Sequence, residues 1–151
     1  MRTPMVRSRS RMAPRLAAAT IALALTGVVM AASPASALTR NCNSSSAQLC
    51  LYYNSVAYGL NAEFGTQSSV PSFNPGVASN PAKFKAGAEG SAGAGYYVWN
   101  QAAAGRNYST VYKMAVFVNS NYTGAKDVFA AYTYGNLANT KNDNASLAWG
   151  T

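Results

Sequence analysis

Two segments of the chain repeat one pattern of apolar, polar and glycine positions. LCLYYNSVAYG at residues 49–59 and MAVFVNSNYTG at residues 114–124 align without a gap when Leu49 is set against Met114. Each begins with a strand-like apolar run, continues into a polar turn that contains Asn-Ser, and ends at a Gly. Such a recurrence indicates two copies of one supersecondary unit that share a core.

Alternating and aromatic-rich stretches predict further short strands in both units. The predicted strands are residues 49–53, 62–64, 82–85 and 96–99 in the first unit and 111–118, 128–131 and 146–149 in the second. Residues 67–80 are rich in Ser, Pro, Asn and Gly and predict a loop, whereas the glycines of residues 87–95 predict a flexible connector. The pattern predicts an all-β domain with units at about 48–105 and 111–151.

The closing segments of the two units also correspond, but with a smaller separation along the chain. WNQAAAGRN parallels KNDNASLAW when Asn100 is set against Asn142. Because these matching positions lie closer together than Leu49 and Met114 do, the first unit is longer than the second. We place the excess in the Ser, Pro and Gly-rich loops between Gln67 and Gly95.

The N-terminus has the three parts of a secretory signal peptide. Five arginines precede an apolar stretch from about Leu16 to Met30, and small residues follow at Ala35, Ser36 and Ala37. The apolar run of about 15 residues is shorter than the roughly 20 that a membrane-spanning helix needs. We therefore expect cleavage after residue 37, a secreted domain at residues 38–151, and no membrane attachment afterwards.

Charge and cysteine content narrow the class of the secreted part. It keeps seven basic and four acidic residues, a net charge of +3, and the basic residues are scattered. A nucleic-acid binder usually has a clustered basic face, so no nucleic-acid partner is expected. In an exported chain, Cys42 and Cys50 are more consistent with a disulfide than with a metal or redox site. A single domain of this size is expected to be a monomer.

The residue types argue against an enzyme. The chain contains no His, which removes Ser-His and Cys-His nucleophiles and the usual zinc peptidase motif. Its secreted part has four carboxylates without a local pairing motif, which we interpret as solvated surface acids: Glu63, Glu89, Asp127 and Asp143. No catalytic residue and no resident cofactor is predicted.

The landmarks of the two units resemble the βγ-crystallin Greek key. In the second unit Phe117 lies seven positions before Gly124, Tyr122 lies two before it, and residues 142–146 form an Asn/Asp-rich stretch that ends in Ser. The first unit matches with Tyr52 and Gly59 but has Ala57 in place of the second aromatic. The resemblance implies a sandwich of two Greek-key units.

The signal peptide, the cysteine pair and the two units also resemble a secreted metalloproteinase-inhibitor family built on the crystallin fold, sometimes called inhibitor family 36. The segments CNSSSAQLCLYYNS and NLANTKNDNASLAW carry this likeness. It implies an extracellular peptidase, specifically a metallopeptidase, as the partner. The alternative is a structural or calcium-responsive extracellular module that inhibits nothing.

An inhibitor of this kind needs an exposed, constrained loop that enters a peptidase cleft. Residues 67–80 offer one such loop, and within it the candidate inhibitory segment is Val70, Pro71, Ser72 and Phe73. The loop between Cys42 and Cys50 is a second candidate.

The crystallin resemblance also implies calcium ligands in the Asn/Asp-rich stretch. Asn142, Asp143 and Ser146 are the candidate ligands, because side-chain and carbonyl oxygens suit this hard cation. However, Leu147 replaces the usual final Ser, and the partner stretch that begins at Asn100 has no carboxylate. Turn formation by Asn, Asp and Ser explains the same residues without a metal.

Aromatic residues at 96–99 raise the possibility of stacking on sugars. Tyr96, Tyr97 and Trp99 are close in sequence. In a strand, however, Tyr97 would point to the face opposite that of Tyr96 and Trp99. The predicted strand therefore argues against a shared aromatic surface.

We predict that the secreted protein begins at or within a few residues of Leu38, because Ala35 and Ala37 suit signal peptidase. The intact mass of protein purified from culture medium measures this directly. A product that retains the arginines at Arg2 to Arg15 would contradict both export and the disulfide inferred from it.

Overall fold

The computed structural model describes residues 40–46, 48–78 and 80–150. The predicted signal peptide, residues 1–37, lies outside the described residues. Within the described residues, no helix is both long and apolar enough to cross a membrane. Two short 3-10 helices lie there, at Val56–Tyr58 and Ser120–Tyr122. The strands are β1 (Leu49–Tyr52), β2 (Glu63–Thr66), β3 (Ala104–Asn107), β4 (Met114–Asn119), β5 (Thr123–Phe129), β6 (Tyr134–Asn136) and β7 (Ser146–Trp149).

The strands form two antiparallel sheets that exchange a segment between the units. One sheet has the order β2-β1-β3-β6, and the other has the order β5-β4-β7. β6 belongs to the second unit but pairs with β3 of the first. Reciprocally, Val70 of the first unit forms a bridge with Leu147 of β7. The two N···O distances are 2.7 and 3.0 Å. The exchange confirms the predicted all-β, βγ-crystallin-like fold of two Greek-key units.

The segment predicted to enter a peptidase pocket lies in this exchange, so that prediction is wrong. It consists of Val70, Pro71, Ser72 and Phe73. Phe73 is 0% exposed, and its ring meets Phe64 edge-on with the centroids 5.5 Å apart. Its N–H donates to Ala145 O at 2.8 Å, and Pro71 O accepts from Asn121 N at 2.7 Å. The apolar side chains that suggested a specificity-pocket contact instead complete the core.

Period-two alternation in β1 and β4 explains how the core is shared. Leu49 and Leu51, together with Met114 and Val116, belong to the main cluster between the sheets. The alternate residues of both strands are also buried, in two smaller clusters that contain Tyr52 and Phe117 respectively, among others. The strands are therefore covered on both faces, which explains their nearly continuous apolar runs.

Backbone conformation confirms the repeat at both sets of matching positions. Gly59 and Gly124 have φ values of 79° and 84°, a left-handed conformation that glycine adopts without steric cost. Asn100 and Asn142 share a φ of 54°, which asparagine tolerates better than most residues. Matching conformations at matching positions mean that the two units are built on one local plan.

The strand predictions failed in parts of both units. In the second unit, β6 was not predicted, and β5 begins at Thr123 rather than at Val128. β3, with the sequence AGRN, was not predicted, because small residues give no apolar alternation. Gly105 is required there by close packing, since an added Cβ would lie 2.9 Å from Phe129. Residues 82–85 and 96–99 were predicted as strands but make only single-residue bridges, Glu63 with Lys85 and Lys83 with Tyr97. Each bridge is isolated, so no ladder forms.

The extra length of the first unit lies between its third extended segment, which contains Val70 and Phe73, and its fourth, which is β3. Phe73 and Leu137 are equivalent, because each N–H donates to the carbonyl of the corresponding alanine of the other unit. The chain from Phe73 to Asn100 is several times longer than the equivalent stretch from Leu137 to Asn142. We call residues 74–98 the insertion. It runs beside β2, where Glu63 and Lys85 exchange hydrogen bonds of 2.8 and 2.9 Å, and so it covers a sheet edge.

The predicted disulfide between Cys42 and Cys50 is confirmed, with the Cα atoms 5.7 Å apart. Cys50 is fully buried in β1, so the bond attaches the residues before the sheet to its central strand. Constraining the unfolded chain in this way stabilises a small domain by about 2 to 3 kcal/mol on the loop-entropy model.

We expect Phe73→Ala to destabilise the domain by about 3 to 5 kcal/mol, because it removes a fully buried ring and leaves a cavity. Val77→Ala is the matched control, since Val77 lies in the same connection but is 71% exposed. Urea unfolding followed by tryptophan fluorescence measures both changes. Equal midpoints for Phe73→Ala and Val77→Ala would contradict the buried position of Phe73.

Candidate binding site

The candidate calcium ligands do not form an open oxygen cluster. Asn142 and Asp143 are exposed in a turn, whereas Ser146 is fully buried at the start of β7. The Ser146 hydroxyl donates to Asn119 O at 2.6 Å and accepts from Tyr122 N at 3.1 Å. This side chain therefore holds the β4–β5 hairpin. Among the described residues, no group of three or more His, Cys, Asp or Glu side chains is placed to hold a metal ion.

Asn144, in the same stretch, is the residue whose role the sequence did not reveal. It is fully buried, its Oδ1 accepts from Ala102 N at 2.9 Å, and its Nδ2 donates to Val98 O at 2.8 Å. Its backbone carbonyl accepts from Asn100 N at 3.0 Å. The alignment of Asn100 with Asn142 was the available signal, because it places two Asn-rich turns at equivalent positions.

Two of the four carboxylates are not the solvated surface acids that we predicted. Glu63 is only 3% exposed, and its Oε1 accepts from Cys42 N at 2.9 Å. The insertion covers it closely, since a Cβ on Gly87 would lie 2.1 Å from the Glu63 Cδ. Sequence reasoning missed this burial because the covering residues are distant in the chain.

Asp127 organises the turn that follows β6. Its carboxylate accepts from the N–H groups of Ala138, Asn139 and Thr140 at 2.9 to 3.2 Å and from the Thr140 hydroxyl at 2.7 Å. Desolvation by burial raises the pKa of Asp127, but these hydrogen bonds outweigh it and place the pKa below the ordinary value for aspartate. The carboxylate is thus structural and is held in its charged form.

An aromatic cleft lies at the end of the insertion. It has a volume of about 410 Å³. Tyr96 is 57% exposed, Tyr97 is 41% exposed, and Trp99 is half-buried. The cleft is lined by Pro75, Gly95, Tyr96, Tyr97, Trp99 and Gln101.

Residues 96–99 are not a strand, so the prediction that Tyr97 faces away from Tyr96 and Trp99 is wrong. They form a bend with one bridge at Tyr97, so strict alternation does not apply. Val98 alone is fully buried, and its N–H donates to Ala82 O at 3.0 Å. The segment is therefore anchored at its centre while the aromatic residues on both sides of the anchor line one cleft.

Neighbouring groups fix the rings before any ligand binds. Tyr96 meets Tyr53 edge-on at 5.6 Å, and Tyr53 meets Phe84 edge-on at 5.9 Å. With the Asn100 amide turned so that its oxygen faces the indole, Trp99 Nε1 donates to it at 2.8 Å. The orientation of Trp99 thus depends on Asn100, which also donates its N–H to Asn144 of the second unit.

The residues that line the cleft carry no charge. Lys83 lies beside it, with Nζ 4.8 Å from the centroid of the Tyr97 ring. This cation–π contact orients the ring. The cleft therefore combines three aromatic side chains with the neutral amide of Gln101. It offers flat apolar surface and hydrogen-bonding groups.

No family model matches the chain, and no curated protein does. Among solved structures, the chain is similar to one described as "Evolution of the eye lens beta-gamma-crystallin domain fold". The likeness has a TM-score of 0.44 and 10% sequence identity and covers 68% of this chain and 84% of that one. At these values it carries no argument about function. The Greek-key topology given above rests on the strand pairing, and the inhibitor-family resemblance gains no support from these comparisons.

We expect Asp127→Asn to lower the free energy of unfolding by roughly 1 to 3 kcal/mol at pH 7, because charge-assisted hydrogen bonds to the turn are weakened. Since the folded-state pKa lies below the unfolded value of about 3.9, the carboxylate's contribution is complete above that value. It is lost as the pH falls through the folded-state pKa. The gap between wild type and variant should therefore narrow in acid.

Urea unfolding at pH 7 and at lower pH values measures this gap. Asp143→Asn is the matched control, because Asp143 is exposed. A gap that stays constant with pH, or an equal loss in the control, would contradict the role of Asp127.

We predict that calcium binds no more tightly than about 10⁻⁴ M, because ligand charge sets affinity and Asp143 is the only charged candidate. The Ser146 hydroxyl is already engaged in the hairpin. Isothermal titration calorimetry of wild type and Asp143→Ala is the measurement. Micromolar affinity that disappears in Asp143→Ala would show that the turn is a calcium site.

Proposed function

We propose that this chain is a non-catalytic extracellular binding domain, a crystallin-type module that recognises its ligand through the aromatic cleft. One observation carries the proposal. Tyr96, Tyr97 and Trp99 are exposed or half-buried around one cavity of about 410 Å³. Small-molecule sites are commonly concave and largely apolar, with volumes of roughly 300 to 1,000 Å³ and a few polar groups. Exposed aromatic patches with a polar rim are typical of binding surfaces.

The placement of the cleft supports this role. It is formed largely by the insertion, which has no equivalent in the second unit. Tyr96 and Tyr97 lie outside the main buried cluster, whereas Trp99 packs against it. Burial in the core therefore does not account for the two tyrosines, which supports a role for them in binding.

The disulfide is consistent with an extracellular location, because such bonds persist in oxidising compartments. The predicted signal peptide agrees with it. For catalysis, the chain offers no His, and the carboxylates Glu63 and Asp127 are engaged by backbone N–H groups. These features favour binding over turnover.

Inhibition of an extracellular metallopeptidase is the second candidate function, implied by the inhibitor-family resemblance. The observation that favours it is the disulfide loop, where Ser44 and Ser45 are exposed. The Asn43 side chain accepts from Ser45 N at 3.1 Å and Ser46 N at 2.6 Å, so the loop is constrained. A constrained loop binds with a smaller entropic cost.

Inhibition is tested by assaying metallo-, serine and cysteine peptidases with an excess of the secreted protein. The matched variants are Ser45→Ala in the disulfide loop and Val77→Ala in the insertion. We expect any inhibition of a metallopeptidase to weaken in Ser45→Ala and to persist in Val77→Ala. If no peptidase is inhibited at micromolar concentration, inhibition is excluded and only the binding function remains.

The binding function is tested by saturation-transfer NMR of the secreted protein with neutral oligosaccharides, short peptides and small aromatic acids. We expect at least one class to bind and Tyr97→Ala to weaken that binding by about tenfold, or about 1.4 kcal/mol. Tyr58→Ala is the control, since Tyr58 is 76% exposed and lies outside the cleft. Absence of binding by every class, or binding unchanged in Tyr97→Ala, would contradict the proposal.

A further inference from the structure

We infer that the ligand of the aromatic cleft is a neutral saccharide, bound through stacking of pyranose rings on Tyr97 and Trp99 and hydrogen bonds to Gln101. The inference rests on the proposed binding function and names its ligand class. Three properties of the cleft carry it: the fixed aromatic rings, the neutral polar groups beside them, and the engagement of the local backbone.

The aromatic rings match the shape of a pyranose. A pyranose ring has two flat faces of C–H groups and a rim of hydroxyl groups, so its faces pack on aromatic rings while its rim needs polar partners. Trp99 is held by the Asn100 amide, and Tyr96 is held by Tyr53. Fixed rings lose little conformational entropy on binding, which lowers the free-energy cost of forming the complex.

The polar groups of the cleft match the hydroxyl rim. Gln101 is exposed, and its amide both donates and accepts hydrogen bonds, as sugar hydroxyl groups do. The phenol groups of Tyr96 and Tyr97 do the same. None of the lining residues is charged, and the neighbouring Lys83 is positioned over the Tyr97 ring. The lining residues themselves therefore offer no charged group to pair with a phosphorylated or acidic ligand, and they suit a neutral one.

The backbone beside the cleft disfavours an extended peptide. Peptides gain affinity at a sheet edge by pairing with free N–H and C=O groups. Here Gly95 N donates to Phe84 O at 2.9 Å, and Tyr96 O accepts from Phe84 N at 2.9 Å. Val98 N donates to Ala82 O at 3.0 Å. These three groups are engaged within the insertion and are not free to pair with a peptide strand.

The experiment uses the fluorescence of Trp99. The chain has two tryptophans, so Trp149→Phe leaves Trp99 as the single indole. Fluorescence of this variant is titrated with cellohexaose and with chitohexaose, two neutral chains of β-linked pyranose rings. Polygalacturonate provides an anionic saccharide, and mannitol provides hydroxyl groups without a ring face. We expect the two neutral chains to change the Trp99 emission and the other two probes to leave it unchanged.

Calorimetry with the better neutral chain then compares variants in the wild-type background. We expect Tyr97→Ala to weaken affinity about tenfold, and Tyr97→Phe to retain most of it because the ring face remains. Gln101→Ala should also weaken binding, because it removes the amide. Tyr58→Ala is the control, and circular dichroism and melting temperature verify that every variant is folded.

The outcomes separate this inference from the proposed function. Binding of peptides or aromatic acids at the cleft, without binding of either neutral chain, would overturn the saccharide assignment and leave the binding function intact. No ligand of any class at millimolar concentration would overturn both. Saccharide binding that is unchanged in Tyr97→Ala and Gln101→Ala would also overturn the assignment, because the sugar would then bind elsewhere.

Discussion

The junction between the two units is the constraint on which the rest of the structure depends. Each unit gives its third extended segment to the sheet of the other, and a buried amide locks the crossing. Asn144 pairs with both Val98 O and Ala102 N, while Asn142 N donates to Ala102 O at 2.8 Å. Without Asn144, the buried Ala102 N–H would lose its partner, at a cost of roughly 1 to 3 kcal/mol, whereas Val98 O would keep the bond from Gln101 N at 3.2 Å. These hydrogen bonds make the junction polar and specific, and the buried side-chain N and O atoms there all have partners.

The same junction fixes the aromatic cleft. Asn100 donates its N–H to Asn144 O, and its side chain orients Trp99. Val98, whose carbonyl accepts from Asn144, is the buried anchor of the aromatic segment. The cleft is therefore attached directly to the junction between the two units. Pre-organisation of this kind lowers the entropic cost of binding.

Asymmetry between the units explains why the aromatic cleft lies on the first unit. The second unit passes from Leu137 to Asn142 in one short turn, whereas the first follows a much longer path from Phe73 to Asn100. The shorter connection is held by Asp127, and the longer one covers the edge of β2 and then presents aromatic rings. A shared scaffold with one elaborated connection is a common way to place a site on a fold.

The sequence by itself determined the repeated plan. The apolar runs of β1 and β4, the glycines at 59 and 124, the Asn100 and Asn142 positions and the cysteine pair are local signals, and each predicts a local conformation or an allowed bond. They were sufficient for the all-β class, the two units and the disulfide. Strand β3 was not predicted, because Ala104 and Gly105 are small. Close packing requires a small residue at Gly105, and small residues give no apolar alternation.

Only the tertiary structure decided which residues are exposed. Pro71 and Phe73 have the composition of a loop with an apolar tip, but their segment pairs with the edge of the second sheet and Phe73 packs in the core. Tyr96, Tyr97 and Trp99 have the composition of a strand, but the anchoring of Val98 and the bend around it brought them to one cleft. Burial depends on partners that are far away along the chain, and a local pattern does not contain them.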